Sequence, residues 1–516
     1  MLLRPALPHY FFCVYLLFQN VAFADDYSTS LITSPTTVNQ EIISILNTKE
    51  NSLLTRADFE YRAEDVDALY KTTNYTPLWL GNPQNVADVL ALLSNAAAEG
   101  LKTDDYSVMA LQQKLPFIQM LKPESTADLA LYDTALTVSL VRFLHDIHYG
   151  RINPHSVGFN IKLRSQKNID FPKVIKAALD EGKIAQLAQM AEPNLQQYRQ
   201  LRSALATYRE PLVALPSTDE KPHKKGKVKK IIHPIERIIK IELAMERLRW
   251  LPEMTTGQSI IVNIPAFQLW GIDSANQENM QPLNLNVVVG KAFKTQTPII
   301  MADMNSVEFM PYWNVPPSIL KKEILPKLAN NPGYLSGQNM EVISLKGGGM
   351  RVRQRPGGRN ALGRIKFIFP NSEGVYLHDT PSKALFSRPR RDFSHGCVRV
   401  QNPSELAKFV LKNQDGWTQD RIASTLSNST HHQVNLKTTI PVLFFYTTAF
   451  YEQSDKLTFY SDIYGHDATL LAALAKVHDV PDSSLITTEP LHTPIFEPDD
   501  SQLFSEQPPT HEPLIP

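Results

Sequence analysis

The apolar pattern of this chain changes period once, and the change divides it into two architectures. Between about residues 25 and 233 apolar side chains recur at helical spacing. Val86, Val89, Leu90, Leu93 and Ala97 share one helical face, and Gly100 follows where a left-handed terminator is expected. A longer helix is predicted from Ala127 to about Tyr149, with Leu129, Leu136, Leu140, Phe143 and Ile147 buried and Gly150 closing it. His145 and His148 share that helix but lack a third ligand-type neighbour, so they read as packing or surface histidines. Pro234 suits the first turn of a further helix, with Ile238, Ile241, Met245 and Leu248 as its apolar face and Glu236 and Lys240 as an i,i+4 pair.

From Gln258 the period becomes that of strands. Ser259–Ile264, Phe267–Trp270, Leu283–Val289, Arg364–Phe369, Gly374–His378 and Thr439–Thr447 are β-branched or alternating and are bounded by turn residues. The segment from Pro311 to about Arg351 interrupts them. It is proline-rich and mixes aromatic with cationic side chains, which suits a lid insertion better than a core strand. Gly347-Gly348-Gly349 lacks the Lys-Ser/Thr of a phosphate loop and reads as a hinge. The expected fold is a multidomain α+β chain: a helical N-terminal scaffold over 25–233, ending in a basic linker at about 217–233, then a mostly β unit over 234–475 with its lid at 311–351.

Composition narrows the function classes. With 516 residues the chain has room for about two or three domains. Its 52 basic and 52 acidic side chains cancel, which argues against nucleic acid as a partner. No apolar run reaches the ~18–20 residues of a spanning helix, so no membrane span is expected. Residues 1–24 have the form of a secretory signal: Arg4, an apolar stretch Tyr10–Phe18 and the small-x-small site Ala22-Phe23-Ala24. The alternative is an uncleaved anchor, against which Gln19 and Asn20 interrupt the apolar run. Residues 476–516 form a Pro-rich tail; from Pro481 on it has eight prolines, seven acids and no Lys or Arg, and reads as disordered.

Only two cysteines occur, and Cys13 lies inside the signal. The exported chain would hold Cys397 alone, which excludes an internal disulfide and a resolving redox partner. Cys397 follows Ser394-His395-Gly396, and His378 stands nineteen residues upstream at the end of a predicted strand. Between Arg351 and Arg399 there are eleven Lys or Arg against three acids. A thiol of pKa about 8.5 is only ~3% ionised at pH 7, and lowering that pKa to about 6.5 ionises most of it. A neighbouring imidazolium and the field of Arg388, Arg390, Arg391 and Arg399 would act in that direction. One histidine must also serve as base and return the proton. The pair fits acyl transfer through a thioester, with backbone N–H groups near Cys397 as the oxyanion site. Zinc would need further ligands nearby, so no metal or other cofactor is called for.

At these residues the sequence resembles the L,D-transpeptidases of the YkuD type. The family's signature is a histidine, about fifteen residues, then Ser/Thr-His-Gly-Cys, and here His378 is followed by fifteen residues and Ser394-His395-Gly396-Cys397. The likeness is greatest to the large periplasmic, YcbB-like branch. It extends over Ile264-Pro265-Ala266-Phe267, Val289-Gly290-Lys291, Pro311–Pro317, Arg353–Arg364 and Tyr376–Arg399. The resemblance implies a periplasmic enzyme of the Gram-negative envelope that takes peptidoglycan stem peptides as donor and acceptor. Cys397 would attack the third, diamino-acid residue of a tetrapeptide stem, D-Ala would leave, and a second stem's side-chain amine would form a 3→3 cross-link. By the same resemblance His378 is the general base, with its ring oriented by a backbone carbonyl. His395 and Gly396 shape the oxyanion site, and carbapenem-type β-lactams acylate the nucleophile. Arg399, Ser394, Tyr376, Tyr312, Trp313 and Asn360 are the expected substrate contacts, the three aromatics serving equally well as packing residues. The cation excess suits a substrate rich in carboxylates.

Two other functions compete: L,D-carboxypeptidase or endopeptidase action, in which water resolves the acyl-enzyme, and a non-catalytic wall-binding scaffold. The intact Cys397, His378 and His395 argue against the scaffold. Glu210 to Pro234 is too short for the peptidoglycan-binding repeat common in this branch, and the basic stretch Lys221–Lys230 is either a solvated linker or a partial substitute. As a substitute it must bind through charge. Changing Lys224, Lys225, Lys227, Lys229 and Lys230 to Gln is then expected to weaken co-sedimentation with sacculi, and unchanged binding would retire that role.

Overall fold

The computed structural model describes residues 35–120, 125–165, 169–213, 234–252, 257–274, 282–344, 349–428, 430–452 and 456–476. The expected signal segment, the basic stretch Lys221–Lys230, Gly347-Gly348 and the tail beyond Lys476 lie outside them. Among the described residues no helix is long and apolar enough to cross a membrane. The chain forms two compact units. One comprises the residues up to Ala97 with Leu101–Ile147 and Ile169–Glu192; the other comprises Ala98–Gly100, His148–Asn168 and the chain from Pro193.

The first unit is helical. Pro83–Ser94 starts on an Asn82 cap whose side chain accepts from Gln84 N, and Phe171–Glu181 starts on Asp170, which accepts from Lys173 N. The long helix Thr126–Tyr149 buries Leu129, Leu136, Leu140 and Phe143, as its period requires. The same helix also buries Asp133, whose carboxylate accepts from Leu78 N, Trp79 N and the Tyr70 hydroxyl. These bonds satisfy a carboxylate whose pKa burial pushes up. His145 Nε2 lies 2.7 Å from Asp65 Oδ2, the partner that holds the Asp65 carboxyl low.

The second unit carries the sheets. Its strands are β1 (Phe159–Asn160), β2 (Gln258–Asn263), β3 (Gln268–Asp273), β4 (Leu283–Gly290), β5 (Ile299–Phe309), β6 (Trp313–Asn314), β7 (Met340–Ser344), β8 (Met350–Gln354), β9 (Ile365–Ile368), β10 (Leu377–His378), β11 (Asp392–Ser394), β12 (Val398–Val400), β13 (His432–Phe445), β14 (Ala449–Tyr451) and β15 (Leu457–Phe459). The main sheet runs β5-β13-β2-β3-β4-β12-β10-β9, and β9 pairs back onto β5, so these eight strands close into a ring without a free edge. Closure puts Ile260, Val262, Leu269, Val287, Val307, Phe367, Leu377, Val398, Val442 and Phe444 into one core. The long strand β5 was not legible in the sequence, because Asp303 and Asn305 break its apolar alternation.

The helix Pro234–Arg249 buries Ile238, Ile241, Met245 and Leu248 as expected. Lys240 does not serve an i,i+4 pair; its ammonium donates to Tyr460 O at 2.5 Å. Buried Arg247 pairs with Asp467 at 2.6 Å and Arg249 with Glu246 at 2.9 Å, so both charges are compensated. The expected boundary at 233 is not the one between compact units. The helix Gln196–Val213 belongs with the sheets, where Gln197 exchanges two hydrogen bonds with the Tyr451 backbone.

The expected lid is more ordered than a proline-rich loop. β6, β8 and β7 form their own antiparallel sheet ending at Gln354, and Trp313, Val315, Ile319, Ile324, Met340, Val352 and Leu362 form a separate core. The ring depends most on β13, which bridges β5 and β2. Phe444→Ala, at a fully buried position on β13 packed edge-on against Phe369, is expected to cost about 3–5 kcal/mol in denaturant unfolding.

Candidate active site

The site follows from alternation on two very short strands. β10 and β12 pair in parallel, with Leu377 opposite Val398 and His378 opposite Arg399, and Val398 N donates to Tyr376 O at 3.1 Å. Leu377, Val398 and Val400 point into the core and are fully buried. The intervening residues Tyr376, His378, Cys397 and Arg399 therefore share the opposite face. All four line one cavity together with Trp313, Ala361, Leu362, Ser394 and His395. The cavity holds about 30 Å³, room for a water molecule or two but not for a peptide. Cys397 is half-buried there and is not disulfide-bonded.

His378 is buried, and its Nδ1 lies 2.5 Å from the backbone oxygen of Asp379. A carbonyl oxygen only accepts, so Nδ1 carries the proton and Nε2 keeps its lone pair. The Asp379 carboxylate is committed elsewhere, accepting from Arg364 N, Thr380 N and the Lys383 ammonium. Burial, and then the Arg399 guanidinium, push the His378 imidazole down to about 3. At neutral pH the ring is therefore uncharged, and the expected imidazolium beside the thiol is corrected to a neutral base. The expected cationic field is also smaller. Arg390 is bound to Asp392 and Arg391 to the backbone oxygens of Val287 and Phe267, while Arg388 lies over the Phe393 ring; of the four arginines only Arg399 lines the cavity.

The turn that presents Cys397 is tied from within. Gly396 has φ +110°, in the region that favours glycine, and Ser394 Oγ accepts from Gly396 N at 3.3 Å and donates to Cys397 O at 2.5 Å. Ser394 thus has a structural hold on the turn as well as a place in the cavity wall. Tyr376 packs against His378 with ring centroids 5.6 Å apart, and Lys366 Nζ sits 4.5 Å above the Tyr376 ring.

Two expected substrate contacts do not line the cavity. The Asn360 amide is used by the backbone around it, donating to Arg355 O in its own loop and to Pro311 O from another segment, and accepting from Leu362 N. Tyr312 has the Arg353 guanidinium 3.9 Å above its ring and His431 at 5.7 Å. Sequence reasoning missed Ala361 and Leu362, which lie within a stretch whose arginines and glycines drew attention instead. It also missed Thr297, which donates to Gly396 O in the Cys397 turn, and Tyr464, which bonds Thr297 N and Gly290 O behind it; neither bears a local mark.

The depressed His378 pKa links stability to pH. Unfolded chains bind the imidazole proton below about 6.5, whereas the folded protein resists it down to about 3. The unfolded state therefore holds more protons in that window, and stability falls as pH falls from 6.5 toward 3. His378→Gln is expected to flatten this loss, read as a smaller drop in denaturation midpoint between pH 7 and pH 5 than the wild type shows.

Comparison with known proteins finds two segments of this chain that match family models. Residues 257–442 match the YkuD L,D-transpeptidase catalytic domain, and residues 64–205 match a scaffold domain. A Haemophilus influenzae protein provisionally named an L,D-transpeptidase is 32% identical over 244 residues, covering 44% of this chain and 48% of that protein. The match thus spans about half the length of that relative. Residues 257–442 form an L,D-transpeptidase catalytic domain of the YkuD family, preceded by a scaffold domain.

Proposed function

We propose that the protein is a periplasmic peptidoglycan L,D-transpeptidase that forms 3→3 cross-links through a thioester on Cys397. The observation that carries this reading is the shared cavity of Cys397 and a neutral His378 whose Nδ1–H is held by a carbonyl oxygen, which leaves Nε2 as a base. His378 takes the thiol proton, and the sulfur adds to the carbonyl of the donor stem's third residue. As the tetrahedral adduct collapses, the C–N bond to D-Ala breaks and the imidazolium returns its proton to the departing amine. The acceptor stem's side-chain amine then adds to the thioester, His378 takes its proton, and the proton returns to sulfur as the C–S bond breaks. Backbone N–H groups of the Gly396 turn stabilise the oxyanion, and Arg399 on the same face supplies positive charge for stem carboxylates.

Carbapenem-type β-lactams offer the same electrophile in a ring. Intact mass after carbapenem exposure is expected to show one adduct on the wild type and none on Cys397→Ala; an unmodified wild type would count against the assignment. With sacculi as substrate, mass spectrometry of the digest is expected to show 3→3 dimers. Trimmed monomers without dimers would instead assign a hydrolase resolving the same acyl-enzyme with water.

A further inference from the structure

The turn between β4 and β5 packs behind the Ser394–Cys397 turn. Thr297 is almost wholly buried, and its Oγ1 donates to Gly396 O at 2.8 Å and accepts from Gly290 N at 2.8 Å. The Tyr464 hydroxyl donates to Gly290 O at 2.6 Å and accepts from Thr297 N at 3.2 Å. Thr295 Oγ1 and Lys291 N both donate to Ser394 O, at 2.9 and 3.1 Å. A Cβ on Gly290 would stand 1.9 Å from Thr295 O, so the tightness of the β4–β5 turn needs glycine there.

These bonds determine a direction. In a trans peptide the C=O and the following N–H point opposite ways, and no described peptide is cis. Holding Gly396 O against Thr297 therefore points the Cys397 N–H from the opposite edge of the same peptide, away from Thr297. The next plane is held separately, by Ser394 Oγ on Cys397 O and by Val398 N on Tyr376 O. Both planes flanking the nucleophile are thus anchored from outside the turn or within it. Tyr464 contributes from a segment beyond residue 442, where the match to the catalytic domain ends.

We propose that Thr297 and Tyr464 are positioning residues for acyl transfer: through the Gly396 carbonyl they aim the Cys397 N–H at the oxygen that gains charge when sulfur adds to a carbonyl. This rests on the reading of Cys397 as the acylated nucleophile. Its signature separates two reactions of the same sulfur. Carbapenem acylation passes through an oxyanion; alkylation by iodoacetamide does not.

In the full-length protein, Thr297→Val is expected to slow carbapenem acylation about 10- to 100-fold, less than the ~100- to 1000-fold of removing an oxyanion donor, because the N–H stays but loses its aim. Its iodoacetamide rate and pH profile are expected to stay those of the wild type. Thr297→Ser, which keeps the hydroxyl, is expected to restore acylation. Tyr464→Phe, which loses hydrogen bonds one step removed, is expected to slow acylation about 3- to 10-fold. The proposal is overturned if Thr297→Val acylates at the wild-type rate, if acylation and alkylation fall together with melting temperature, or if Thr297→Ser gives no rescue. A wild type that alkylates readily but is never acylated would overturn the transpeptidase reading itself, and this assignment with it.

Discussion

Everything at the candidate site depends on the parallel pairing of two strands that are barely strands. β10 has two residues and β12 three, yet their register sets His378 opposite Arg399 and leaves Cys397 level with Tyr376. Such short segments do not hold a register by their own hydrogen bonds. They hold it because Leu377, Val398 and Val400 sit in the core of a closed ring, so a slip by one residue would take them out of the apolar core and turn Cys397 and Arg399 into it. The hydrophobic effect on one face thus fixes the chemistry on the other.

The electrostatics of that face follow from its burial. A histidine shut away from water beside an arginine is driven neutral, which deprives the thiol of an imidazolium but leaves a base free of its proton at Nε2. A carboxylate in contact with the ring would favour its charged form. The nearest acid in sequence, Asp379, is instead drawn toward Arg364 N, Thr380 N and Lys383, and offers the imidazole only its backbone oxygen. Gly363 makes this possible, since a Cβ there would stand 2.3 Å from Asp379 Cγ. Positive charge is correspondingly sparse in the cavity. Three of the four arginines nearest the cysteine in sequence are spent elsewhere: Arg390 on Asp392, Arg391 on backbone oxygens and Arg388 on the Phe393 ring.

The chain beyond the matched catalytic domain is built into the same unit. Thr448 and Arg247 share the Asp467 carboxylate, Tyr446 donates to Asp462, and Tyr464 closes on Gly290 behind the nucleophile. The helix Pro234–Arg249, which precedes the matched residues, supplies Arg247 to this network. The catalytic unit is therefore larger than its family match, and the added segments bear on the turn that carries the cysteine.

Periodicity alone was enough for the helical and strand halves, and for the buried faces of Thr126–Tyr149 and Pro234–Arg249, because a single apolar stripe needs only local spacing to be recognised. The spacing of His378 and Ser394-His395-Gly396-Cys397 made the proposed reacting residues legible for a similar reason: a turn that exposes a nucleophile demands particular residues in a row. Polar residues interrupt β5 and hide it from the pattern, and the expected 311–351 insertion gave no sign of its own sheet and small core, which are assembled from separated pieces. Asn360 and Tyr312 are expected substrate contacts by resemblance alone, and a resemblance does not say what a side chain already touches: the Asn360 amide holds Pro311 O and Arg355 O, and Tyr312 lies under the Arg353 guanidinium. The sequence by itself determined which atoms can react. Tertiary structure decided their protonation, their neighbours and the direction of the peptide that presents them, because burial and long-range hydrogen bonds exist only once the ring has closed.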